Sequence, residues 1–69
     1  MSERSEKRKA LIEAARVAFV KMNTEMDIYD SYVEHGVPKH ALGHLEVAST
    51  AAEREYEAAV DALTLFDSQ

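Results

Sequence analysis

The chain contains no cysteine. That excludes disulfide crosslinks and thiolate metal ligands, and it fits a reducing compartment. Glycine occurs twice and proline once, at Gly36, Pro38 and Gly43, so long stretches on either side hold no backbone breaker. No apolar run approaches the roughly 20 residues that a membrane-spanning helix needs. The first residues are charged and lack the apolar core of a secretory signal, so the expectation is a cytoplasmic location. There is no glycine-rich phosphate loop and no nucleophile paired with a base, and therefore neither an enzyme nor a cofactor is expected. Basic residues are scarce after the first quarter of the chain. Arg4, Lys7, Arg8, Lys9 and Arg16 outweigh Glu3, Glu6 and Glu13, whereas Lys21, Lys39 and Arg54 face ten acids, for a net charge of −5. An acidic surface of this kind speaks against general nucleic-acid binding, although one end is mildly basic.

What is present is helical periodicity. Ile12, Ala15, Phe19, Met22, Met26, Tyr29 and Val33 recur at alternating spacings of three and four, the pattern of a helix-bundle seam. Ser2 and Ser5 are N-cap candidates, and Gly36 suits the left-handed conformation that ends a helix. Val37 is held extended by Pro38, which itself favours the first turn of a new helix. The reading is one domain: a helix over about residues 3–35, a turn at about 36–37 and a second helix over about 38–66. The second helix repeats the seam at Leu42, Leu45, Ser49, Ala52, Tyr56, Ala59, Leu63 and Phe66. Folded antiparallel, the seams bring Met22 near Ala52, Tyr29 near Leu45, Ala15 near Ala59 and Arg8 near Phe66. Large residues then face small ones, as dense packing requires.

Sixty-nine residues make a small domain that buries only about 60% of its unfolded surface. Without disulfides or metal, such chains are commonly stabilised by association. The expected architecture is an all-α antiparallel hairpin that pairs with a copy of itself into a four-helix bundle. Its core is expected at Ile12, Phe19, Met22, Met26, Tyr29, Leu45, Tyr56, Leu63 and Phe66. A neighbouring stripe of mostly small residues on the second helix, Ala41, His44, Ala48, Ala51, Ala58, Ala62 and Leu65, also permits close helix contact.

Two polar clusters carry weaker signals. His40 and His44 stand four apart, a metal-ligand spacing, with His35 across the turn. The set lacks cysteine or inward carboxylates, and it reads as a polar hairpin tip rather than a metal site. Glu53, Glu55, Glu57 and Asp61 lack the Glu-x-x-His pattern of carboxylate-bridged metal bundles and read as a solvated face.

The apolar residues that the seam does not use are more informative. Val17, Val20 and Ile28 lie off it, and Arg16 stands four residues before Val20. Arginine beside exposed apolar groups is a protein-binding composition. Candidate partner-binding residues are therefore Arg16, Val17, Val20 and Lys21 on the first helix, with Tyr32, Lys39 and His40 about the tip. The alternatives are an RNA-binding dimeric bundle of the Rop kind and a structural or antitoxin-like partner protein. The segment Ser5–Phe19 is similar to the first helix of TetR-type repressors, but no turn and recognition helix follow it.

In whole-chain size, paired-hairpin pattern, basic start of the first helix and placement of Arg16, the chain resembles the small anti-quorum-sensing anti-activators encoded by Pseudomonas phages. That resemblance implies a dimeric bundle that binds the host quorum-sensing transcriptional activator and blocks its DNA binding. It also implies a second target, the type IV pilus assembly ATPase. Arg16 would contact the regulator. The ATPase contact would come from an aromatic near the tip, where this chain has Lys39 and His40, with Tyr32 before them.

Overall fold

The computed structural model describes residues 2–69. Helix α1 spans Glu3–Glu34 and helix α2 spans Gly43–Asp67, joined through a single 3-10 turn at Lys39–Ala41. The helices pack side by side into a rod of 52 × 16 × 13 Å. No strand occurs among the described residues, and none of their helices is long and apolar enough to cross a membrane.

Local chemistry sets both ends of α1. Ser2 is extended, with φ −92° and ψ 149°, and its hydroxyl oxygen accepts a hydrogen bond from the Ser5 amide at 3.2 Å. This satisfies one of the donors left open by the first turn, while Glu3 and Glu6 complement the helix dipole. At the other end Gly36 takes φ +81°. The Val37 amide then donates to the Tyr32 carbonyl at 3.1 Å, and the Gly36 amide donates to the Val33 carbonyl at 3.0 Å. This pair of bonds is the Schellman closure, and it turns the chain sharply while satisfying two of the carbonyls left open by the last turn.

The second helix begins later than Pro38 suggests. Pro38 caps the 3-10 turn instead, its carbonyl accepting from the Ala41 amide at 3.0 Å. Leu42 follows as the N-cap of α2, and Gly43 is the first helical residue rather than an interior one. Leu42 is 2% exposed and Ala52 is 1% exposed, and they are the only fully buried side chains among the described residues.

All eight seam positions of α2, Leu42 through Phe66, are buried or half-buried. On α1 the contact line is displaced. The half-buried positions are Leu11, Ala15, Ala18, Met22, Glu25 and Tyr29. Ala15, Met22 and Tyr29 belong to the expected seam, but Ile12, Phe19, Met26 and Val33 stand beside the contact line, 40–48% exposed. Across the hairpin Tyr29 bonds Glu46, next to Leu45, and Arg8 bonds Asp67, next to Phe66. The C-terminal residues are tied down at the open end. Arg4 donates to the carbonyls of Phe66 and Gln69 at 3.1 and 3.3 Å, and its guanidinium lies 4.5 Å above the Phe66 ring.

Candidate functional site

The hairpin has two long edges where α1 and α2 meet solvent, and each carries apolar side chains. On the first edge Ile12, Phe19, Met26 and Val33 repeat every seven residues along α1. Residues seven apart on a helix lie almost one above another, so the four form a straight stripe about 31 Å long. Phe19 leans on Tyr56 with ring centroids 5.4 Å apart and planes tilted by 56°. Beyond it Met26, Tyr29, Asp30, Ser49 and Glu53 line a shallow depression of about 180 Å³.

The second edge holds Val17, Lys21 and Ile28, related by four and seven residues. Lys21 crosses to α2 and donates to both Glu55 carboxylate oxygens, at 3.1 and 3.3 Å. Toward the tip, Thr24, Asp27, Ile28, Ser31, Tyr32, His35 and Val37 line an open depression of about 710 Å³. The helix end creates this hollow. The Schellman turn folds Val37 back beside Tyr32, and α2 does not begin until Gly43, so nothing fills the space next to Ile28 and Tyr32. His35 donates from Nδ1 to the Ser31 carbonyl at 2.7 Å, which fixes its tautomer and orientation.

The expected partner-binding residues do not form one site. Arg16 and Val20 are exposed on the outer side of α1, four residues apart. The Arg16 guanidinium grips Glu13 with two bonds, Nη2 to Oε1 at 2.6 Å and Nε to Oε2 at 3.0 Å. Val17 and Lys21 belong to the second edge, and Tyr32 lines the tip depression. Lys39 and His40 are exposed in the 3-10 turn. Arg16 and Tyr32 are separated by about 24 Å of helix, so a partner touching both must lie along the rod. Asp27, Ser31, His35 and Val37 were not among the candidates. Their signal was the helical line through Thr24, Ile28 and His35, together with the closure expected at Gly36.

No charged side chain is fully buried among the described residues, and the ion pairs lie at the surface. Arg8 donates from Nε and Nη2 to Asp67 at 2.9 and 3.1 Å, and this holds the Asp67 carboxyl below its usual range. The hydrogen bond from Arg16 does the same to Glu13. Tyr29 is pushed up, because its hydroxyl donates to Glu46 at 3.0 Å and that bond is lost on ionisation. No trio of His, Asp or Glu able to hold a metal ion occurs among the described residues. His40 and His44 are both exposed.

Comparison with protein-family models, curated proteins and solved structures returns no match to this chain.

Proposed function

We propose that this chain is a non-enzymatic interaction protein, a dimer of helical hairpins that acts by covering a surface of a partner protein. One observation carries the reading: the disproportion between core and surface. Leu42 and Ala52 alone are fully buried among the described residues, while Val17, Phe19, Val20, Met26, Ile28 and Tyr32 are all well exposed on a single helix. Apolar surface in this amount on so small a body, spread over both edges of the hairpin, marks faces that bind other molecules. Aromatic anchors such as Tyr32 are the side chains that contribute most when a partner desolvates them.

In its finer form the partner is a bacterial quorum-sensing activator whose DNA binding is blocked, with the type IV pilus assembly ATPase as a second target. The resemblance to phage anti-activators supports this form. So does the geometry at Arg16, an exposed guanidinium held rigid by Glu13 and flanked by Val20. The regulator contact is assigned to Arg16, Val17 and Val20. The second contact is assigned to Tyr32 and the tip residues Lys39 and His40. The RNA-binding alternative draws less support, because the basic residues gather at one end rather than along a face, and Arg4 and Arg8 there are engaged with residues 66–69.

The test is a pull-down from nuclease-treated bacterial lysate, comparing wild type with Arg16→Ala and Tyr32→Ala by mass spectrometry. Capture of a transcriptional activator by wild type and its loss with Arg16→Ala is expected, with release of that activator from its DNA in a mobility-shift assay. Capture that requires intact nucleic acid would replace this reading with the RNA-binding one.

A further inference from the structure

We infer that a second copy of this chain packs antiparallel against the stripe Ile12, Phe19, Met26 and Val33, about a two-fold axis beside Asn23. The inference rests on the dimer proposed above and specifies its face and direction.

The first argument is area. A compact monomer of 7.7 kDa exposes about 4,300 Å². This chain exposes 5221 Å², an excess of about 900 Å², close to the roughly 800 Å² that each partner buries in a standard interface.

The second argument is register. The stripe repeats every seven residues, which is the repeat that keeps one helix facing another. In an antiparallel pair with its axis between Met22 and Asn23, Ile12 meets the partner's Val33 and Phe19 meets the partner's Met26. All four apolar residues are then matched, with none left over.

The third argument is charge. On that axis residues 11–34 of the two α1 helices overlap, and residues 11–22 carry Arg16 and Lys21 against Glu13, a balance of +1. Residues 23–34 carry Glu25, Asp27, Asp30 and Glu34 with no basic residue, a balance of −4. An antiparallel copy lays the acidic half of each α1 along the weakly basic half of the other. A parallel copy sets like against like, which opposes association.

The opposite edge suits a second copy less well. The Lys21–Glu55 ion pair occupies its middle and would have to be desolvated. Glu46 and Glu53 on α2 flank the stripe. The contact is therefore centred on α1, with the two α2 helices on the outside.

The natural chain has no cysteine, so single-thiol variants give unambiguous crosslinks. Ile12 and Val33 are both about two-fifths exposed, and Cys at either site leaves the hairpin contact intact. Under mild oxidation, Ile12→Cys mixed with Val33→Cys is expected to form the mixed disulfide dimer, while Ile12→Cys alone stays largely uncrosslinked. Self-crosslinking of Ile12→Cys would overturn the antiparallel arrangement, and no crosslink in the mixture would overturn the face. As a second measurement, the double variant Asp30→Lys, Glu34→Lys is examined by sedimentation equilibrium. It is expected to raise the dimer dissociation constant at least tenfold at low salt, and an unchanged constant would remove the charge argument. A monomeric wild type that still captures its partner would sink this inference and the dimer it rests on, while leaving the partner-covering role standing. A crosslinked dimer that captures nothing would sink the proposed function alone.

Discussion

Leu42 closes the tip as the one large side chain fully withdrawn from solvent among the described residues. It sits between the 3-10 turn and α2, and its carbonyl accepts from the amides of Leu45 and Glu46 at 2.9 and 3.0 Å. Truncating it removes the plug that lets the turn seat against both helices. Leu42→Ala is expected to destabilise the hairpin by about 2–3 kcal/mol, read by urea unfolding with far-UV circular dichroism. A change under about 0.5 kcal/mol, the size typical of surface substitutions, would show that the turn does not depend on it. Tyr29 tests the cross-hairpin register. Its folded-state pKa is raised, chiefly by the hydrogen bond it donates to Glu46. The contribution of that bond is therefore present below the unfolded tyrosine pKa, and it is lost as pH rises through the raised value. A tyrosinate absorbance titration is expected to show a late phase from Tyr29, and Glu46→Gln should move that phase to lower pH. A titration curve left unchanged by Glu46→Gln would contradict the bond.

The helices depend on their ends, and the two glycines there act in opposite directions. A Cβ added at either Gly36 or Gly43 meets nothing within 4 Å, so only the backbone distinguishes them. Gly36 is left-handed at φ +81°, and Gly36→Ala is expected to cost about 1 kcal/mol. Gly43 starts α2 in ordinary helical geometry, and Gly43→Ala is expected to add about 0.5 kcal/mol. Thermal unfolding midpoints should move down for the first and up for the second; movement in one direction for both would contradict the boundary between turn and helix. How far these elements could be read in advance differs between them. The seam of α2 was legible to the residue, because its larger apolar side chains define one dominant line. On α1 apolar residues occupy several lines, so hydrophobicity alone has no unique phase. The stripe through Ile12, Phe19, Met26 and Val33 drew the reading away from the true contact line, which includes the small Ala18 and the charged Glu25. The start of α2 was misplaced because Pro38 suits a 3-10 turn as well as an α-helix. At the candidate site Tyr32 was legible as an edge aromatic. The hollow beside it was not, since it exists only because α2 starts at Gly43.

As a whole the molecule is a rod with a radius of gyration of 15.9 Å and very little interior. Folding that depends on a second copy makes stability depend on concentration. Tenfold dilution is accordingly expected to lower the thermal midpoint by several degrees, measured by circular dichroism at matched scan rates. A midpoint independent of concentration would indicate that the hairpin is stable alone. The clamps from Arg4 and Arg8 to residues 66–69 hold the chain's beginning and end together at one pole of the 52 Å rod. When two such rods run in opposite directions, the end of one copy and the start of the next lie at opposite poles. A tandem fusion of two copies would then need a linker of at least about 15 extended residues to span the rod. A shorter linker would force the copies to run the same way or to pair with other molecules, so the shortest linker that still gives a closed, monodisperse product reports their direction.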